Sequence, residues 1–281
     1  MRILITGARG QLGHDLAAHC AAMNDDVIAT DRQQLDIGDR DAVHGAVASL
    51  RPDVVVNTAA WTAVDACEGD RSRAFRVNAL GPRWLREATD LSGAHLVQLS
   101  TDYVFDGDLD RPYHEWDVPN PPSVYGQSKL AGENEVGSGS TVVRTSWVSG
   151  AAGNNIVKTV LRLVAERPSL SFVDDQRGCP TFAADLAPMI RRLAVDRRTG
   201  VYHVTNQGVA SWYEFVREVV SAAGYDPDLV EPISTADLRP PRPAPRPANS
   251  VLDNVVLRES GIPLLRHYRE PLRELVEELT A

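Results

Sequence analysis

Cysteine is scarce, and Cys20, Cys67 and Cys179 stand alone along the chain with no paired spacing. A disulfide framework is thereby excluded, and a reducing compartment is expected. No apolar run approaches the roughly 20 residues that a membrane-spanning helix needs. The seven histidines show no ligand spacing with cysteines or carboxylates, so neither a structural nor a catalytic metal is expected. Basic charge is short as well: 29 Lys and Arg stand against 38 Asp and Glu, a net charge of -9 spread along the sequence. No basic field exists to draw in nucleic acid or an anionic membrane, and an anionic small molecule must be met by a local cluster of Arg or Lys. The chain opens on a strand pattern at Arg2 in place of a signal peptide, which reads as cytoplasmic.

What is present is an ordinary globular composition, 43% apolar and 24% charged over 281 residues, enough to bury a substantial core. Short apolar runs, "RILIT", "DVIAT", "DVVVNTAA", "HLVQLS" and "TVVRTS", alternate with helix-like stretches at 11–23, 39–50, 70–90 and 124–136. Buried parallel strands read as continuous Val, Ile and Leu, and parallel neighbours need crossover helices. The pattern therefore predicts an α/β fold with a doubly wound, Rossmann-like parallel sheet. The long loop Asp102–Pro122 breaks the rhythm and is expected to be functional. After Thr145 the alternation weakens into a smaller mixed lobe, with helices expected at 153–166, 182–195, 211–223 and 268–279. The run "RPPRPAPRPANS", Arg239 to Ser250, holds too much proline for a helix or central strand and reads as an exposed linker or as something more specific.

Directly after the first strand comes "TGARGQLG", with Gly7, Gly10 and Gly13, followed by a helix opening at Gln11 and Leu12. Glycines let the backbone approach a pyrophosphate, which then sits on the helix N-terminus. Asp31 closes the second strand, 18 residues beyond Gly13, where a carboxylate can accept hydrogen bonds from an adenosine ribose. Arg32 beside it can offset repulsion of the extra phosphate of NADPH, so NADH and NADPH both stay open, with a slight lean to NADH. Residues 1–147 then form a dinucleotide-binding domain and 148–281 mainly a substrate lobe, with segments near 174–205 and 236–252 that could return to the first domain.

The stretch "SVYGQSK" puts Tyr125 and Lys129 four residues apart behind "PNPP". Proline cannot continue a helix, so a helix begins near Ser123 as N-cap and carries Tyr125 in its first turn. An ammonium on the next turn and the positive helix end both favour the phenolate, which suits a proton donor, although an ordinary surface pair has the same spacing.

The GxxGxxG loop, "NTAA", Thr101 in "LSTDYVF" and the Tyr-x-x-x-Lys pair together resemble the short-chain dehydrogenase/reductase superfamily. That resemblance implies Tyr125 as proton donor, Lys129 as its tuner and holder of the nicotinamide ribose, Thr101 as second hydrogen-bond donor, and Asp36, Ile37, Asn57, Ala59 and Ala60 as further cofactor contacts. Longer strings, "NTAAWTAVDACE", "STDYVFDG", "VYGQSKLAGE", "RTSWVSG", "NNIVKTVLRL", "DDQRGCPTFAADLA" and "RPANSVLD", are similar to the dTDP-4-dehydrorhamnose reductase family. They imply reduction of the 4-keto group of dTDP-4-dehydro-L-rhamnose to dTDP-L-rhamnose, the last step in making that activated sugar. Asp102 is followed by Tyr103, whereas the related sugar-nucleotide dehydratases carry Asp-Glu there, so the acid that expels water is missing. Trp147 offers the sugar a flat wall, and Asn155 and Lys158 offer polar contacts, against the alternative of a core tryptophan and a solvated helix face. Matching "RPANS" to the family makes Arg246, Asn249 and Ser250 candidates for the nucleotide half of the substrate. Some members dimerise through glutamate-held magnesium, but this chain has Phe182, Ala183 and Ala184 at one such position, which favours a monomer or a metal-free dimer. Two rival functions remain: reduction of another nucleotide-linked 4-keto sugar, and a non-catalytic NADP-binding subunit resembling the regulatory partner of methionine adenosyltransferase.

Overall fold

The computed structural model describes all of residues 1–281. The chain runs β1 (Arg2–Thr6), α1 (Gln11–Ala22), β2 (Asp26–Thr30), α2 (Arg40–Leu50), β3 (Val54–Asn57), α3 (Gly81–Ser92), β4 (His95–Thr101), α4 (Val124–Val136) and β5 (Thr141–Thr145). It continues α5 (Ile156–Glu166), β6 (Leu170–Val173), α6 (Ala183–Val195), β7 (Gly200–His203), α7 (Trp212–Ala222), β8 (Val230–Ile233) and α8 (Arg269–Thr280). No helix is long and apolar enough to cross a membrane.

Six strands form one parallel sheet in the order β7-β5-β4-β3-β1-β2. From β1 the chain winds outward to β2, then crosses back to β3 on the other side, so strand order reverses between β1 and β3. A crevice opens at the carboxyl ends of the strands at such a switch point. Every residue of β3, β4 and β5 is buried, because helices cover both faces. On one face, Leu16 and Cys20 of α1 meet Leu186, Ile190 and Leu193 of α6. On the other, Val43 and Val47 of α2 pack with Leu85 and Ala88 of α3. Burying such side chains contributes about 1.5–3 kcal/mol each.

The sheet has one more strand than the five apolar runs. β7 follows β5 only after 54 intervening residues, 146–199, and its short "GVYH" is half-exposed at its first two positions, so no apolar run announces it. The expected helix over 70–90 is interrupted: helical turns at Arg71–Phe75 lead into a π-helical turn at Arg76–Leu80 before α3. The remaining lobe packs α5, α7 and α8 around Val160, Phe215, Val219 and Leu272, and β6 pairs with β8 in parallel.

The loop after β4 is packed down. Phe105 stacks on Tyr113 with ring centroids 4.1 Å apart, and the backbone N–H of Tyr113 donates to Val251 O at 2.8 Å. The proline-rich run is exposed over residues 239–243 but anchored beyond them. Ala244 is buried, and Pro247 and Ala248 lie so close to Gly107 that a side chain there would overlap them.

Candidate active site

Gly7 turns the chain out of β1 at a φ of +72°, and a Cβ there would come within 2.7 Å of the Ala59 backbone. A Cβ on Gly13 would lie 2.5 Å from Gly7 O, so the glycine loop, the first turn of α1 and the segment after β3 approach as only glycine permits. The N–H groups of the first turn of α1 have no intrahelical partner and face the resulting cradle.

The cradle opens into a cleft of about 600 Å³ at the carboxyl ends of the strands. Gln11, Leu12, Arg32, Asp36, Ile37, Ala59 and Ala60 line one half, and Thr101, Asp102, Tyr125, Lys129 and Trp147 the other. Thr101 ends β4, while Tyr125 and Lys129 sit on consecutive turns of α4. Ser123 starts that helix, accepting a hydrogen bond from the Gly126 N–H at 3.1 Å. Lys129 is only 4% exposed, and its Nζ donates to Leu99 O at 2.6 Å. The Thr101 hydroxyl donates to Asp102 Oδ1 at 2.9 Å, and Tyr103 packs edge-on against the Tyr125 ring at 5.8 Å.

Electrostatics correct one expectation. Burial pushes the Tyr125 phenol well above its ordinary range, and the neighbouring Thr101 hydroxyl only partly opposes this. Burial also lowers Lys129 to about 8, with the Glu133 carboxylate one turn on pulling it back up. In this setting low polarity outweighs the helix end and the ammonium, so the phenol holds its proton. Burial raises Asp102 to about 6, and the nearby Ser250 and Thr101 hydroxyls only partly oppose this.

Gly126 follows Tyr125 in the first turn of α4. Any Cβ there would collide with Tyr103 O, so the glycine lets α4 press against the turn after β4.

Several predicted contacts prove to be supports. Asn57 is fully buried: its Oδ1 accepts from Thr6 Oγ1 at 2.6 Å and from the Ala59 N–H, and its Nδ2 donates to Gln98 Oε1 at 2.7 Å. It braces three strands and orients Ala59 without reaching the cleft. Asp31 is not a free carboxylate, since Oδ1 accepts from the Gln33 and Gln34 N–H groups and Oδ2 pairs with Arg9 Nε at 2.7 Å. Asn155 caps α5 and donates to Gly150 O, while Lys158 Nζ donates to Ala151 O and Gly153 O. Both shape the 150–154 turn, because its carbonyls lie nearer than the cleft. Asn249 donates to Leu109 O and Arg111 O, and Ser250 bonds Arg177 O, so both bind the long loop and its neighbours together. Arg246 grips Asp65 with two hydrogen bonds of 2.9 Å and lies beside Tyr103.

Sequence reasoning passed over Arg9, Arg73, Thr145 and Asn154. Arg9 lies inside the quoted glycine loop, and with Arg32 it flanks Asp31, which removes the ground for leaning to NADH. Arg73 reaches the cleft by resting on the Trp61 ring at 4.4 Å, a juxtaposition no local pattern announces. Three buried atoms on the cleft wall, Gln11 Oε1, Thr145 Oγ1 and Asp102 Oδ2, have no partner within the protein. Such orphans are costly unless a ligand satisfies them.

Comparison with known proteins bears on this site. The model of the family described as the RmlD substrate binding domain matches residues 1–281. A dTDP-4-dehydrorhamnose reductase of Streptomyces griseus is 44% identical over 282 residues, covering 97% of this chain and 92% of the relative. The solved structure of a dTDP-4-dehydrorhamnose reductase from Clostridium acetobutylicum superposes with a TM-score of 0.96 at 42% identity, covering 100% of both chains. A Bacillus anthracis dTDP-4-dehydrorhamnose reductase in complex with NADP superposes at 0.94 with 40% identity, covering 99% of each.

Proposed function

The chain belongs to the family of the RmlD substrate binding domain, and from that premise we propose that it reduces dTDP-4-dehydro-L-rhamnose to dTDP-L-rhamnose as an NAD(P)H-dependent oxidoreductase. The observation that carries the reading is the buried Thr101, Tyr125 and Lys129 group sharing one cleft with the glycine cradle.

The cradle fits a dinucleotide, and the orphaned Gln11 Oε1 and Thr145 Oγ1 suit its polar edges. Gly7, Gly10, Gln11, Leu12 and Gly13 would hold the pyrophosphate, Asp36, Ile37, Ala59 and Ala60 the adenosine side, and Lys129 the nicotinamide ribose. When bound, the cofactor supplies the hydride. Arg9 neutralises Asp31 and, with Arg32, gives the adenosine end two guanidiniums, which favours acceptance of NADPH as well as NADH.

On the protein's side, Tyr125 keeps its proton until the ketone oxygen gains negative charge, then releases it to that oxygen. Thr101 donates a second hydrogen bond there by turning its hydroxyl away from Asp102 Oδ1, and the Lys129 ammonium stabilises the phenolate left behind. The orphaned oxygen of Asp102 is available to a sugar hydroxyl, and the indole of Trp147 is the apolar wall. Arg246, poised between Asp65 and Tyr103, is the candidate for the substrate's pyrophosphate.

A monomer or metal-free contact agrees with residues 182–184, where no carboxylate stands, and with Asp185, which is committed to Arg266 and Asn206. Three buried, unpaired thiols suit a cytoplasmic protein. Residues 1–147 serve the cofactor and the remainder mainly the sugar nucleotide, with 174–205 and 236–252 contributing to the first unit. The test is a coupled assay with enzymatically generated 4-keto sugar nucleotide, following NADH and NADPH oxidation separately. Oxidation dependent on that sugar is expected, and its absence, with another keto-sugar nucleotide turned over, would overturn the assignment.

A further inference from the structure

Trp147 is the one residue of the cleft wall whose backbone is left-handed without being glycine, at a φ of +49°. A bulky side chain holds such a conformation only where its surroundings over-determine it. They do so from two sides. The Trp147 indole lies on the indole of Trp212, with ring centroids 3.6 Å apart and planes 8° from parallel, and Phe215 packs against both rings at 6.3 and 6.4 Å. From another direction Gly178 presses so close that a Cβ there would lie 2.6 Å from Trp147 Cε2.

Trp212 itself is firmly placed. It is the first residue of α7, whose start is locked by the capping box of Ser211 and Glu214, and Ser211 Oγ donates to Asp174 Oδ1 at 2.5 Å. Neither Trp212 nor Gly178 lines the cleft. We propose that Trp212 is a positioning residue for substrate: stacked behind Trp147 and opposed by Gly178, it sets the plane that Trp147 offers to the sugar. The inference rests on the reading of Trp147 as the sugar wall.

Steady-state kinetics of the full-length enzyme with the sugar nucleotide test it. Trp212→Ala should raise the KM for the sugar nucleotide about threefold to tenfold, as loss of one aromatic stack implies, with kcat and cofactor affinity retained. Gly178→Ala, pushing the same indole from another side, should do likewise, and Trp212→Phe should restore most of the affinity. An unchanged KM in Trp212→Ala overturns the proposal, as does a parallel loss of kcat, cofactor affinity and melting temperature in both alanine variants. Trp147→Ala separates the two readings: if it leaves KM unchanged, the sugar wall falls and this inference with it. If it raises KM while Trp212→Ala does not, only the positioning role falls.

Discussion

Tyr125 and Lys129 are both chemically disturbed, and in a manner that follows from their being almost sealed from water. A raised pKa keeps the phenol protonated at neutral pH, so Tyr125 enters the reaction as the acid. It is a weaker acid than a free phenol until negative charge on the ketone oxygen and the Lys129 ammonium draw the proton away. Tyr125→Phe should therefore lower turnover by ~10²-fold or more while cofactor affinity, followed by fluorescence titration, stays near normal. Lys129, lowered to about 8, makes a second forecast. Its ammonium is lost as pH rises through that value, so kcat/KM, which reports the free enzyme, should fall on an alkaline limb near pH 8. A profile flat to pH 9.5 or so would exclude the ammonium from the rate. The same lowering from 10.5 means the unfolded chain holds this proton more tightly between about 8 and 10.5. This group's contribution to stability is therefore present above that window and lost as pH falls through it.

At the scale of elements, α4 is a catalytic helix held by its neighbours more than by its own pattern. Ser128 Oγ accepts from Asn78 Nδ2 at 3.0 Å, and Asn78 also bonds both backbone groups of Trp61, so the π-helical turn ties α4 to the segment after β3. An extra residue in a helical turn is a common way of aiming one side chain at a functional site. On the next face, Gly126 lets the helix touch the Tyr103 carbonyl. Gly126→Ala must push helix and turn apart, costing ~1–3 kcal/mol in chemical denaturation and displacing Tyr125 from Thr101. The expected signature is a joint loss of stability and kcat; a stable, fully active variant would show that the contact yields without consequence.

Across the whole molecule, the proline-rich segment works as a strap. Asp65 belongs to the cofactor side and Arg246 to the C-terminal third, so their ion pair joins regions 181 residues apart beside Tyr103. Arg246→Ala removes a charge-assisted contact worth on the order of 1.5–3 kcal/mol, and should raise the KM for the sugar nucleotide roughly 10- to 100-fold without altering cofactor binding. Amide exchange over residues 239–250 should quicken in the same variant, because the strap loses its anchor. An unchanged KM with quickened exchange would make Arg246 a tether only. Behind the site, the buried pair of Arg144 and Glu133, with Nη2 and Oε2 2.8 Å apart, links β5 to α4 below Lys129. Leaving either charge alone there costs about 3–5 kcal/mol.

Local chemistry was enough to read the parallel sheet, the glycine turn and the catalytic helix, because each depends on near neighbours: continuous apolar runs, three glycines before a helix, prolines before a Ser cap. Phe182–Ala184 could likewise be read as offering no carboxylate, and the resemblance of the quoted strings carried the substrate class. Tertiary structure alone decided what depends on distant residues meeting. Arg9 changes the meaning of Asp31, Trp212 backs Trp147, Asp65 claims Arg246, and burial reverses the expected shift of Tyr125. The same holds for Asn57, Asn155 and Asn249, polar residues that look like ligand contacts in one dimension. Each instead satisfies backbone or side-chain groups brought near by the fold, since a buried polar group takes the nearest partner and only the folded chain determines which that is.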